Sequence, residues 1–206
     1  MAYCQDIIAI MVSYILGCVS TGYYLTKFLT GKDIRSLGSR STGATNVGRI
    51  LGKRGFVITL SGDFLKGLVA MSIALVLQLE PWAVQALFLS VVIGHIWPIQ
   101  LGFRGGKGVA VAFGALLIFD YSLAIGSLAV FAMFFFLLRK YTVSGLLGVF
   151  ALPFLAALSG SPIVDIAGFT ILVFLIMFAH RANIRRYIQS SSISTEPKNQ
   201  QIGEIK

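Results

Sequence analysis

Residues 122–138 read SLAIGSLAVFAMFFFLL, a run without a single charged side chain. Its apolar residues follow one another instead of alternating, so it fits a membrane-crossing helix and not a strand of an outer-membrane barrel. The rest of the chain has the same character. Of 206 residues, 56% are hydrophobic and 12% charged, with a mean hydropathy of +0.84. Soluble domains are about half apolar and about a quarter charged. Too little polar surface is left to clothe a water-soluble globule, which identifies an all-α integral membrane protein.

Further apolar runs fall at Ile7–Tyr24, Phe56–Leu79, Trp82–Ile99, Val109–Phe119, Val143–Leu158 and Ile163–Ala179. Val109–Phe119 is short, about 16 Å of helix. It must borrow residues from the preceding loop or be re-entrant and sheltered by protein. The connections alternate in charge. Lys27, Lys32, Arg35, Arg40, Arg49, Lys53 and Arg54 follow the first run, Arg104 and Lys107 the third, and Arg139 and Lys140 the fifth, with Arg181, Arg185 and Arg186 after the last. The intervening connections carry only Glu80, Asp120 and Asp165. Basic loops stay in the cytoplasm. Strict alternation therefore predicts seven spans, an external N-terminus and a cytoplasmic C-terminus, with the net charge of +9 gathered on one face.

Residues 1–189 are expected to form this single domain, and 190–206 a polar, disordered cytoplasmic tail. The first run is preceded by Asp6 and followed by its basic residues, so it is expected to be a retained span, not a cleaved signal. Cys4 and Cys18 match no metal-ligand spacing, and small packing residues are expected there.

Two glycine-rich loops fall on the basic face. Gly38-Ser39-Arg40-Ser41-Thr42-Gly43-Ala44-Thr45-Asn46-Val47-Gly48-Arg49 spaces its glycines by five and fills the gaps with hydroxyls and an amide. Glycines let successive N–H groups converge on an anion. Ser39, Thr45 and Asn46 add neutral hydrogen bonds, and Arg40 or Arg49 bidentate ones. A flexible turn would share this composition. The second loop, Phe103-Arg104-Gly105-Gly106-Lys107-Gly108, sets a compact cation among glycines. It lacks the spacing and the following hydroxyl of a nucleotide phosphate loop, which argues against nucleotide hydrolysis. His95 and His180 both fall at cytoplasmic span ends, and on a helix His180 shares a face with Asn183. Together these suggest one polar site built from several helix ends. Asp63 and Lys66 lie one turn apart inside the second run, where charges are costly; pairing and function are both open to them. Ser144 opens the sixth run and by itself is an ordinary polar residue at a helix start.

On these residues the chain resembles the bacterial acyl-phosphate:glycerol-3-phosphate acyltransferases, the PlsY family. The resemblance runs from about Ile7 to Tyr187. It rests on Asp33-Ile34-Arg35, Gly38-Ser39, Gly43-Ala44-Thr45-Asn46, Asp63-x-x-Lys66-Gly67, Gly94-His95-x-x-Pro98, Phe103–Gly108 and His180-Arg181-x-Asn183-Ile184. Three places depart from the family pattern. Arg40-Ser41 stands where Gly-Asn is usual, Ala182 replaces an acidic residue, and the serine-rich opening of the sixth span is reduced to Ser144.

The resemblance implies transfer of an acyl group from acyl phosphate to the sn-1 hydroxyl of glycerol 3-phosphate. It implies a monomer in the bacterial inner membrane, with its site facing the cytoplasm. His180, Asn183, Lys107 and Ser39 are the implied catalytic residues. Arg49, Gly43, Thr45, Asn46, Arg104, Gly105, Gly106, Ser144 and His95 are implied to bind substrate. Because a mixed anhydride carries its own leaving group, no cofactor or metal is expected, and no nucleic-acid partner. No His-x4-Asp motif is present, since Gln100 and Arg185 stand five residues beyond the two histidines. The proton acceptor is left open between His180 and a substrate phosphate oxygen. An anion transporter, or a paralogue that binds acyl phosphate without turning it over, stays open as an alternative, although no internal repeat supports a transporter.

Overall fold

A computed structural model describes residues 2–193, with side chains for residues 3–185. Residues 194–206, most of the expected polar tail, lie outside the described residues. The described chain is helical: α1 (Ala2–Cys18), α2 (Thr21–Thr30), α3 (Ala44–Leu77), α4 (Pro81–Ile96), α5 (Val109–Phe119), α6 (Tyr121–Leu138), α7 (Tyr141–Phe150), α8 (Leu152–Leu158) and α9 (Ile163–Ile193). Six helical stretches are long and apolar enough to cross a bilayer, and α5 is a shorter apolar helix.

The bundle closes through small residues, which is how helices associate where lipid is as apolar as leucine. A Cβ on Gly17 would strike the Val91 carbonyl, and one on Gly94 the Tyr14 carbonyl, so α1 lies tight against α4. The same device seats α5. Gly67 on α3 faces the Val111 carbonyl, and Gly114 on α5 faces the Phe64 carbonyl. The short helix is thereby sheltered by protein, with Val111, Ala112, Ala115 and Leu116 buried. Its far end docks through an aromatic cluster: Phe119 meets Phe88 and Phe169 at centroid distances of 5.7 and 5.4 Å.

Two breaks shape the end of the bundle that carries the glycine-rich motifs. Gly52 adopts φ 72°, ψ −168°, so α3 is a short helix from Ala44, then a kink, then the long apolar segment. Gly48 permits Phe56 to pack back across that kink. The glycine-rich composition predicts a loop through Arg49; the chain is already helical from Ala44, with Gly43 at its N-cap. The first apolar run also breaks at Val19-Ser20, between α1 and α2.

Candidate functional site

The first loop is held by its own side chains. Gly31, at φ 69°, ends α2, and Asp33 caps a 3-10 turn at Ile34–Ser36 by accepting the Arg35 N–H. The Arg35 guanidinium pairs with Asp33 at 2.7 Å, donates to the Leu101 carbonyl and lies 5.1 Å from the Tyr23 ring centroid. Hydrogen bonding from Arg35 holds the Asp33 carboxyl below the usual carboxylate range, against an opposing push from burial, and the Arg35 pKa is raised in return. Asn46 is the hub of the remainder. Its Oδ1 accepts the Ser39 N–H at 2.7 Å, and its Nδ2 donates to the carbonyls of Leu37 at 3.0 Å and Ser41 at 2.9 Å.

The second loop docks onto the end of α4 and onto the first loop. Gly105 N–H donates to the Ile96 carbonyl and Gly106 N–H to the His95 carbonyl, both at 3.0 Å. The Gly105 carbonyl accepts the Thr42 N–H at 3.3 Å. Side chains are excluded here for steric reasons: a Cβ on Gly106 would fall on the His95 imidazole. Beneath lies a buried ionic group. Lys66 Nζ is 3.1 Å from Asp63 Oδ1, 2.8 Å from His95 Nδ1 and 2.7 Å from the Val19 carbonyl.

These elements enclose one cavity of about 700 Å³. Its polar end carries Ser39, Gly43, Thr45, Asn46 and Arg49 from the first loop and the start of α3. Lys107 and His95 join from the second loop and α4, and His180 and Asn183 from α9. His180 is buried, and its Nδ1 donates to the Ile176 carbonyl at 2.9 Å. A neutral ring so bonded keeps its lone pair on Nε2. The other wall is apolar: Phe56, Leu60 and Phe64, spaced by four on α3, with Phe113 of α5 and Leu128 and Phe131 of α6. Leu60 is 40% and Leu128 53% exposed, so this wall opens toward lipid between α3 and α6.

Four expected site residues fall outside the cavity lining. Arg104 is exposed, and Gly105 and Gly106 form the support behind Lys107. Ser144 is fully buried, with its hydroxyl donating to the Lys140 carbonyl at 3.0 Å, while Gly145 beside it reaches the wall. Ser41, Asp63 and Thr142 line the cavity without having been singled out for it. For Asp63 the signal was an intramembrane charge. The apolar wall was legible only as the four-residue spacing of Phe56, Leu60 and Phe64. Among the described residues no group of three or more His, Cys, Asp or Glu side chains could hold a metal ion.

The chain matches the family model described as glycerol-3-phosphate acyltransferase over residues 7–190. Glycerol-3-phosphate acyltransferase 1 of Desulfitobacterium hafniense (strain Y51) is 44% identical over 187 residues, covering 91% of this chain and 93% of that protein. The glycerol-3-phosphate acyltransferase of Geotalea daltonii is 40% identical over 182 residues, 88% and 93% of the two chains. The fold also matches crystal structures of PlsY (YgiH), an integral membrane glycerol 3-phosphate acyltransferase. Its glycerol 3-phosphate form superposes with a TM-score of 0.84 at 32% identity, over 90% of this chain and 92% of that one. Its lysophosphatidic acid form gives 0.81 at 30% identity, with the same coverage.

Proposed function

The chain belongs to the glycerol-3-phosphate acyltransferase family, and on that premise we propose that its donor is acyl phosphate and its target the sn-1 hydroxyl of glycerol 3-phosphate. The protein is a membrane-embedded acyltransferase that acylates glycerol 3-phosphate in phospholipid synthesis. The observation that carries the finer assignment is the shape of the cavity. A cationic, glycine-looped end runs into an apolar wall that opens to lipid. That suits a donor with a phosphate at one end and a long chain at the other. The related PlsY structures hold glycerol 3-phosphate and lysophosphatidic acid, an acceptor and a product of such a reaction.

In this mechanism the acyl chain lies along Phe56, Leu60, Phe64 and Phe131, with the carbonyl at the junction of the two walls. Lys107 neutralises the donor phosphate as it becomes the leaving group, and Arg49 with the amides at the start of α3 holds the acceptor phosphate. The acceptor oxygen attacks the carbonyl carbon, the new ester C–O bond forms and the bond to phosphate breaks. The hydroxyl proton passes to the Nε2 lone pair of His180 and from there to the departing phosphate, leaving the histidine neutral. Asn183 and Ser39 orient the reacting oxygens. Most of the rate enhancement then comes from alignment and charge stabilisation. We assign the cavity to the cytoplasmic side of the inner membrane in a seven-span monomer with α5 as the fourth span. The basic connections cluster at the cavity end.

The test offers the purified protein, in lipid, labelled glycerol 3-phosphate with palmitoyl phosphate, palmitoyl-CoA or palmitoyl carrier protein. Transfer from the phosphate alone, to the sn-1 position, is expected. Equal transfer from the thioesters, an sn-2 product, or phosphate release without ester formation each overturns the assignment.

A further inference from the structure

Lys66 lies in the apolar part of α3 and is 8% exposed, yet it keeps company with a carboxylate and an imidazole. Its Nζ donates to the Val19 carbonyl at 2.7 Å, is ion-paired with Asp63 Oδ1 at 3.1 Å and stands 2.8 Å from His95 Nδ1. A lysine ammonium has three protons and no lone pair. The nitrogen it faces must therefore be the unprotonated one. Asp63 cannot serve as an acceptor for an Nδ1–H, because its Oδ1 is 3.6 Å from Nδ1, beyond hydrogen-bond reach. The ring proton accordingly sits on Nε2, on the edge that faces Gly106, and His95 borders the cavity.

Burying an ion pair is expensive, and well-packed apolar side chains of the same volume serve stability equally well or better. What an apolar replacement cannot do is choose a tautomer. We infer that Asp63 and Lys66 are positioning residues that hold His95 as the Nε2–H tautomer, so that its ring offers a neutral donor to the phosphate oxygens gathered at the Gly105–Lys107 loop. Asp63 keeps the lysine ionised, and the lysine sets the imidazole. His180 is set the other way, with its Nδ1–H committed to the Ile176 carbonyl. The cavity thus holds one histidine that donates and one that accepts. The identity of the anion rests on the acyltransferase assignment; the tautomer does not.

The chain has two histidines, so protein labelled with ¹⁵N-histidine, carrying a tag without histidine and placed in nanodiscs, gives two ring spin systems. His95→Gln removes one and so assigns both. An unprotonated Nδ1 at His95 and a protonated Nδ1 at His180 are expected; a protonated Nδ1 at His95 overturns the inference. Lys66→Met leaves the Asp63 carboxylate, 3.6 Å away, as the acceptor nearest Nδ1, so it should swing the ring to the Nδ1–H tautomer and lower kcat/KM for glycerol 3-phosphate about 30-fold, the scale of a lost hydrogen bond to a charged group. In a His95→Gln background, where the amide N–H needs no proton placed for it, the same substitution should cost less than about 3-fold. Equal losses in both backgrounds would make Lys66 merely structural and refute the coupling. Wild-type transfer from palmitoyl phosphate is read on the same preparations, so a failed acyltransferase assignment shows itself separately from a failed tautomer.

Discussion

Asn46 Oδ1 accepts the Ser39 backbone N–H at 2.7 Å, so a residue on the first turn of α3 holds the loop seven positions before it. The other end of the amide donates to the carbonyls of Leu37 and Ser41, and the side chain is buried. Asn46 borders the cavity, but its hydrogen-bonding capacity is directed at the loop that carries Ser39. Asn46→Asp keeps the acceptor and turns the donor into a second oxygen facing two carbonyls. It should lower stability by about 2–4 kcal/mol, the cost of leaving buried polar groups unpaired. Thermal unfolding in detergent reads that loss, and kcat/KM for glycerol 3-phosphate should fall with it.

Arg40 sits at φ 60°, in the left-handed region that glycine occupies without strain. The family's usual glycine at this position thereby acquires a backbone reason. Arg40→Gly should raise stability by about 0.5–1 kcal/mol, the left-handed penalty less the added entropy of an unfolded glycine. Arg40→Ala removes the same charge and keeps the strain, so it should give no such gain. Comparing the two melting temperatures separates backbone from charge; a gain in both would assign the effect to charge.

The membrane class was legible because burial in lipid leaves a local mark, an unbroken apolar run such as Ser122–Leu138. The helix at the start of α3 was not. Its glycines read as loop, and it forms because Phe56 packs on Gly48 across the Gly52 kink, a contact that no periodicity announces. The site divides in the same way. Lys107 and Arg49 stood out as cations among glycines, and the structure brings them to one cavity. The Arg35 bond to the Leu101 carbonyl spans 66 positions and has no sequence signal. Ser144 looked available because its commitment to the Lys140 carbonyl, four residues back, is invisible in composition.

The Asp33–Arg35 pair predicts a pH response. The Asp33 carboxyl is held below its ordinary value, so its contribution is fully present above the unfolded pKa of about 3.9 and is lost as pH falls through the lower folded value. The pair is partly exposed, with side-chain exposures of 24% for Arg35 and 35% for Asp33, and water screens much of it. Asp33→Asn should therefore melt slightly below wild type at pH 7, with the gap closing below about pH 4. A gap that stays constant down to pH 3 would trace it to the lost cap geometry and not to charge.

Two glycines, Gly106 behind the cavity and Gly145 on its wall, should answer substitution in opposite ways. A Cβ on Gly106 would lie on the His95 ring, which is fixed from behind by Lys66, so neither partner can yield cheaply. Gly106→Ala must push the loop outward and take Lys107 from its place. A misplacement of about 1 Å costs about 100-fold in a reaction that depends on alignment, and that loss should appear with donors of every chain length. A Cβ on Gly145 would meet only Val109 Cγ1, at 3.5 Å, an ordinary contact. Gly145→Val should leave folding nearly unchanged while its larger side chain narrows the cavity between α5 and α7. Discrimination per methylene in an apolar pocket is about 1–3 kcal/mol. The ratio of kcat/KM for palmitoyl over octanoyl phosphate should accordingly fall about 10-fold or more in Gly145→Val and stay at the wild-type value in Gly106→Ala. An unchanged ratio in Gly145→Val would place the acyl chain away from this wall.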